Sequence, residues 1–361
     1  MVNIGRWWAV VVPPVAALVL AGVWGRDVGA GLLSLVAVAL ILAVGAAVHH
    51  AEVVAHRVGE PFGTLILAVA VTVIEVGLIV MIMSSSGPGA GTLARDTVFA
   101  AFIIVCNGVV GLCLLVGGVR HRVVEFRVEG VTAALATLTA LATMALVLPT
   151  FTTSSPGPSF SPAQLAFAGT MSLILYSVFV FMQTVRHRNY FLPPGGQNSP
   201  TEDEHAPPPP ARTALISLGL LVVCLIAVVG LAKTAAPAIE RAVAAVGAPH
   251  AVVGVIIALL VLLPETGAAV RAAARNRIQT SLNLAFGSAL ASIGLTVPSI
   301  AVASIWLPGK LILGLGPTEL VLFALTVVVT VLTVAPGRAT LMQGTVHLAI
   351  FGSFLFLTVN P

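Results

Sequence analysis

Charge is what this chain has least of. Asp, Glu, Lys and Arg together make up 8% of its 361 residues, against about a quarter in ordinary soluble domains. So few ionic groups cannot clothe a water-facing surface of this size, which excludes a soluble globular enzyme or binding module. Cysteine is nearly as scarce. Cys106, Cys113 and Cys224 form no C-x-x-C pair and all fall in apolar runs, excluding a disulfide framework and a cysteine zinc site. Basic blocks are missing too: the 17 Lys and Arg residues are scattered, so a sequence pI near 9.4 does not point to nucleic acid.

Apolar residues are abundant: 58% of the chain is hydrophobic and the mean hydropathy is +1.08. Eleven stretches of roughly membrane-spanning length lie at about 7–24, 30–50, 62–83, 97–118, 130–149, 163–183, 213–233, 250–270, 281–305, 318–335 and 340–358. The expected fold is an all-α polytopic membrane protein with about eleven transmembrane helices, embedded in the lipid bilayer. The first stretch follows Arg6 but carries Pro13 and Pro14 and has no clean cleavage site, so it reads as a retained helix rather than a signal peptide. With the N-terminus inside, twelve of the 17 basic residues fall on inside segments, leaving only Arg26, Arg95, Lys233, Arg241 and Lys310 outside. The positive-inside rule therefore places the N-terminus in the cytoplasm and the C-terminus in the periplasm.

One segment breaks the apolar pattern. NYFLPPGGQNSPTEDEHAPPPPAR, residues 189–212, is rich in Pro and Gly and holds the acidic cluster Glu202, Asp203 and Glu204; it reads as a flexible cytoplasmic linker. It separates five spans before it from five after it, with the first span extra. Odd-numbered halves enter the membrane from opposite sides, as in inverted-topology repeats. The expected organisation is thus an extra helix at 1–29, a first repeat at 30–188, the linker at 189–212 and a second repeat at 213–361.

Two acids support the repeat. Aligning TLILAVAVTVIEVGLIV (64–80) with GVIIALLVLLPETGAAV (254–270) matches Glu75 to Glu265. Six of the seventeen positions are identical, several of which so apolar a composition supplies by chance. The acids matter more, being the only two of thirteen acidic residues placed well inside a span. An ionised carboxylate at that depth costs about 2.5–3.5 kcal/mol on insertion scales, so it persists where it faces a cavity, a partner or a proton. Protonated acids acting as helix glue are one reading; a shared ion site at symmetry-related depth is the other.

Oxygen atoms are at hand around both acids. Thr72 lies one turn before Glu75, and Pro264 lacks the N–H that would bond the Leu260 carbonyl, freeing that oxygen one turn below Glu265. Asn107 in VCNGVVG, and Ser288 and Ser292 at i, i+4 with Ser281 on the same face, extend the set of candidate ligands. The two serines among Gly287, Ala291 and Gly294 read equally well as helix-interface residues. HHAEVVAHRVGEP, residues 49–61, carries His50, Glu52, His56 and Glu60 on a polar neck between the second and third spans. It is either a proton relay or gate or a solvated loop. Gln343 and His347 sit at i, i+4 in the last span, a spacing that favours an interhelical hydrogen bond over a chemical role.

Taken together, HAEVVAHRVGEPFGTLILAVAVTVIEV, TLARDTVFAAF with CNGVVGLCLLVGG, RHRNYFLP, and LPETGAAVRAAARNRIQTSLNLAFGSALASIGLTVPS closely resemble the bacterial ChaA-type calcium/proton antiporters, a branch of the cation/calcium exchanger superfamily. The resemblance runs over nearly everything after residue 45. It implies ten core helices in two inverted halves with an extra N-terminal helix, and Glu75 and Glu265 as the cation- and proton-binding pair. Many members of the wider superfamily carry a G-N-A-x-E pattern, whereas here Val71-Thr72-Val73-Ile74 precedes Glu75 and Val261-Leu262-Leu263-Pro264 precedes Glu265. Phe102-Ile103 stands in place of the first-half Gly-Ser. Fewer fixed ligands loosen the expectation of calcium selectivity, and similar proteins exchange sodium and potassium as well.

The function expected is proton-coupled antiport in the bacterial inner membrane by alternating access. Ca2+, with Na+ or K+ as further candidates, and H+ are the cargo. No resident cofactor and no nucleic-acid partner are expected, and a homo-oligomer is compatible with the sequence without being required by it. Two other classes remain at this stage: a cation channel, since acidic rings also select cations, and an intramembrane serine hydrolase using Ser288 with His347 as base, which would leave the paired glutamates unexplained.

Overall fold

The computed structural model describes residues 7–26, 29–59, 62–85, 90–193, 209–245, 247–306 and 310–361. They form eleven helical segments: α1 (Trp7–Val23), α2 (Ala30–Val58), α3 (Phe62–Ser85), α4 (Leu93–His121), α5 (Val128–Phe151), α6 (Pro162–Arg186), α7 (Ala211–Ala245), α8 (Ala251–Ala274), α9 (Ile278–Ala303), α10 (Pro317–Val334) and α11 (Leu341–Val359). In hydrocarbon no water can satisfy the backbone, so each apolar run of this length closes its hydrogen bonds within one helix. Ten of the eleven are long and apolar enough to cross a membrane. The protein is an all-α polytopic membrane protein, and its only strands among the described residues are two three-residue pieces, β1 (Val123–Glu125) and β2 (Arg338–Thr340), paired antiparallel.

Two expectations need correcting. Residues 49–58 are helical rather than a loop, because α2 continues without a break to Val58 and carries His49 to Arg57 on its last turns. The helix outruns the apolar stretch because leaving the bilayer does not end the intrahelical hydrogen-bond ladder; Gly59, at φ +77°, does. The first apolar run is helical as expected, α1 being described over 17 residues. Secondly, the linker begins later than residue 189: Arg188–Phe191 is a turn of 3₁₀ helix, Phe191 is buried, and its carbonyl accepts a hydrogen bond from Asn283 Nδ2. The remainder of that segment, with Glu202, Asp203 and Glu204, lies largely outside the described residues.

The helices group into two compact units, each drawing on both halves of the chain. One contains α1, α2, α3 and α7. In it α2 runs along α7, and α1 and α3 each lie against both. Close approach of α3 to α7 depends on Gly77, where a Cβ would lie 2.6 Å from Cγ2 of Val229.

The other unit contains α4, α5, α6, α9, α10, α11 and α8 from Gly254 onward. Within it α9 packs on α4, α5 and α6, while α11 packs on α4 and α10. At one end of α5, the α4–α5 connection pairs with the α10–α11 connection through β1 and β2, and Phe126 N–H extends the ladder to the Gly337 carbonyl at 3.0 Å. At its other end, the α5–α6 connection pairs with the α9–α10 connection: Gly314 N–H donates to Pro158 O at 2.9 Å, and Lys310 Nζ to Pro156 O. Three helices also depart locally from α geometry into π turns, at Ile104–Val109 in α4, Thr143–Val147 in α5 and Met182–Arg186 in α6.

Candidate functional site

Glu75 stands near the middle of the 24-residue α3, whose sequence supplies no other charged residue. It is 2% exposed. Thr72, one turn earlier, is 6% exposed, and its hydroxyl has no hydrogen-bond partner among the described residues. Among the described threonines only Thr296 shares that state. A threonine in a membrane helix normally donates to the carbonyl four residues back, as Thr97, Thr137, Thr170, Thr184, Thr234 and Thr266 do here. Thr72 thus holds a hydroxyl with no partner among the described residues one turn from a buried carboxylate.

In the second unit, Glu265 is half-buried on α8. The helix continues through Pro264, so the Leu260 carbonyl has no amide at position 264 to accept from. Next to the acid, Thr266 bonds the Leu262 carbonyl at 2.7 Å. α8 meets α4 where Gly254 faces Asp96 and Thr97, and it is tied to α9 by Ser281, whose Oγ donates to Ala269 O at 2.7 Å. α9 in turn packs on the π turn of α4 that carries Asn107. The three helices bearing Leu260 and Glu265, Asn107, and Ser288 and Ser292 are therefore mutual neighbours. Ser292 is buried and Ser288 half-buried. Ser281, expected on the same face, serves as the α8–α9 tie.

Asn107 is fully buried, and its carboxamide is engaged at both ends. Nδ2 donates to Thr326 Oγ1 at 2.8 Å, and Oδ1 lies 3.0 Å from Nδ1 of His347. The other imidazole nitrogen lies 3.0 Å from Thr333 Oγ1. Both ring nitrogens are thus bonded to groups other than Ser288, and the serine–histidine pair of the hydrolase alternative is not formed. In the sequence the one trace of this network is the spacing of Thr326 and Thr333, which with Thr330 sets three hydroxyls along one face of α10. Gln343 proves local: its Oε1 accepts from the Thr340 N–H at 2.9 Å, capping α11.

The histidine–carboxylate group divides. His50 is 2% exposed and its Nε2 donates to the Ala9 carbonyl of α1 at 2.8 Å, while Glu52 and His56 are exposed on the same helix. Glu60 lies outside the described residues.

The sodium/calcium exchanger protein family profile matches residues 28–185 and 216–360. An ionic transporter, y4hA, of Sinorhizobium fredii is 48% identical over 98% of this chain and 96% of its own. The sodium-potassium/proton antiporter ChaA of Escherichia coli is 34% identical over 95% of this chain and 93% of its own. A Ca2+/H+ antiporter of Aphanothece halophytica is 27% identical over 83% and 82%. Among solved structures, native YfkE shares the fold with a TM-score of 0.72 at 17% identity, covering 98% of this chain and 99% of its own. The H+/Ca2+ exchanger CAX gives 0.68 at 16%, covering 96% and 86%. The family consists of secondary transporters, not enzymes, and this chain, an integral membrane protein, belongs to it as a member of the sodium/calcium exchanger family.

Proposed function

We propose that the protein exchanges Ca2+, with Na+ and K+ as competing cations, for protons across the bacterial inner membrane, and that Glu75 and Glu265 carry both cargoes. The observation that carries this reading is Glu75, 2% exposed at mid-helix beside a hydroxyl with no partner among the described residues. A carboxylate so placed needs a counter-charge or a proton. Two carboxylates are neutralised equally by one divalent cation, two monovalent cations or two protons. A hard cation takes oxygen ligands, and Thr72, the Leu260 carbonyl, Asn107, Ser288 and Ser292 would supply neutral ones. Cation and protons cannot fully occupy the same oxygens together, so loading one expels the other. That competition is the source of obligatory coupling and separates the protein from a channel.

Alternating access by inverted repeats fits the pairing of connections described above. Exchanging the two halves maps α4 onto α9, α5 onto α10 and α6 onto α11, so the β1–β2 pair maps onto the Gly314–Pro158 pair at the other end of α5. The topology proposed is N-terminus cytoplasmic and C-terminus periplasmic, which the distribution of Lys and Arg favours. His50, Glu52 and Glu60 would then lie toward the cytoplasmic end. His50 serves there to fasten α1 to α2, leaving Glu52 and Glu60 as the candidates for a proton entry.

The test is proton movement in reconstituted vesicles on adding Ca2+, Na+ or K+ separately. The reading expects cation-driven proton flux, with Ca2+ effective at the lowest concentration. Flux with Na+ or K+ alone would overturn the calcium assignment, and no flux with any of the three would overturn antiport itself.

A further inference from the structure

We propose that His347, on α11, is a positioning residue for cation binding: it fixes which end of the Asn107 carboxamide faces the ion. The inference deepens the reading above, resting on Asn107 as one of the neutral oxygen ligands.

The oxygen of an amide side chain can ligate a cation and its NH2 cannot, yet the two ends are nearly the same size and a half-turn about the terminal torsion exchanges them. A ligating asparagine therefore needs something that tells its ends apart. Thr326 Oγ1, 2.8 Å from Nδ2, cannot do so alone, because a hydroxyl both donates and accepts and would serve either orientation. The imidazole can, because a neutral ring carries one N–H. A carboxamide oxygen offers no proton, so the 3.0 Å pairing of Nδ1 with Asn107 Oδ1 places the ring proton on Nδ1, and Nε2 then accepts from the Thr333 hydroxyl at 3.0 Å. In that tautomer a flipped amide would set two donors against each other. One lone pair of Oδ1 is spent on this bond and the other accepts no hydrogen bond among the described residues, as a ligating oxygen requires.

The surroundings are built for this contact. Asn107, His347 and Thr326 are fully buried and Thr333 nearly so, so no water competes and an unmatched donor pair would cost the full desolvation penalty. Asn107 sits within the π turn Ile104–Val109, a distortion that recurs at functional positions. α11 reaches it because Gly111, one turn on, has no side chain: a Cβ there would lie 3.1 Å from Cβ of His347 and 3.0 Å from Cγ of Leu348. The chain Thr333–His347–Asn107 thus passes orientation from α10 through α11 to α4, as outer-shell partners orient ligands in metal sites, where their loss typically costs 10–100-fold in affinity.

The experiment measures half-saturating cation concentration and maximal proton flux in reconstituted vesicles for wild type, Asn107→Ala, His347→Leu, His347→Asn and the Asn107→Ala/His347→Leu double variant. His347→Leu should raise half-saturation about 10-fold or more while leaving maximal flux within about threefold. His347→Asn should restore near wild-type half-saturation, because its amide nitrogen occupies the place of Nδ1 and still donates. The double variant should be no worse than Asn107→Ala alone, as expected for two residues acting through one contact. If His347→Leu does not fold, Thr333→Val carries the test, since it releases the ring from the other side and should shift half-saturation in the same direction by a smaller factor. A raised half-saturation in Asn107→Ala with none in His347→Leu overturns the positioning role and leaves the ligand intact. Unchanged half-saturation in Asn107→Ala overturns both. Loss of maximal flux in His347→Leu without rescue by Asn would show a merely structural histidine and overturn the inference.

Discussion

Ser281 Oγ donates to the Ala269 carbonyl at 2.7 Å, joining α9 to α8 one turn beyond Glu265. The same hydroxyl also reaches the Arg277 carbonyl at 3.2 Å, so its loss would leave one interhelical tie unmade while the α9 backbone stays intact. Interhelical hydrogen bonds of this kind in membrane proteins average about 0.6 kcal/mol and reach ~1.7. Ser281→Ala should lower thermal stability in detergent by an amount within that range, with exchange activity retained. A stability unchanged within error, or activity abolished in a well-folded variant, would show that Ser281 does something other than tie the helices.

Gly77, two residues past Glu75, makes a second expectation. A methyl at this position would meet Val229 Cγ2 at 2.6 Å, so Gly77→Ala should separate α3 from α7 and destabilise the protein by about 1–3 kcal/mol, the usual range for overpacking. Val229→Ala should relieve it. Thermal melts of the two single variants and the double variant give the answer, and a double variant no more stable than Gly77→Ala would place the clash elsewhere.

Topology can be read by thiol labelling. All three native cysteines are buried, so background labelling should be low. A cysteine introduced at Ser155, between α5 and α6, should react from the periplasm, and one at Ser199, outside the described residues, only from the cytoplasm. Reaction of both from the same side would contradict the inverted halves.

Much of this fold could be read from the sequence because the bilayer leaves so few alternatives. Each of the eleven apolar runs became a helix, since nothing else satisfies a backbone in hydrocarbon. Helix ends were less legible: α2 continued through the polar HHAEVVAHRV because its hydrogen-bond ladder is indifferent to the membrane boundary. Glu75 stood out because a lone acid in an apolar helix is costly, and Thr72 followed from helix periodicity. The bonds among Asn107, Thr326, Thr333 and His347 did not stand out. Both bonds of Asn107 join residues more than two hundred positions apart, and no periodicity within one helix reports what a distant helix brings to it. The π turn holding Asn107 was equally silent, because IVCNGV has nothing in its composition to set it apart from an ordinary α turn.

The central claim is that Glu75 and Glu265 carry the exchanged ions, and cation-driven proton flux through Glu75→Gln and Glu265→Gln tests it most directly. Glutamine keeps the volume and hydrogen-bonding reach of glutamate but cannot ionise, so neither substitution should impair insertion or folding. Glu→Asp draws the carboxylate back by about one methylene and should be damaging but less severe, since catalytic and binding geometry tolerates displacements of that size poorly. The account predicts that each Gln variant, purified in normal yield, shows no proton flux with Ca2+, Na+ or K+. Flux near the wild-type rate in either would mean that its carboxylate is structural, and the two-carboxylate mechanism would be wrong.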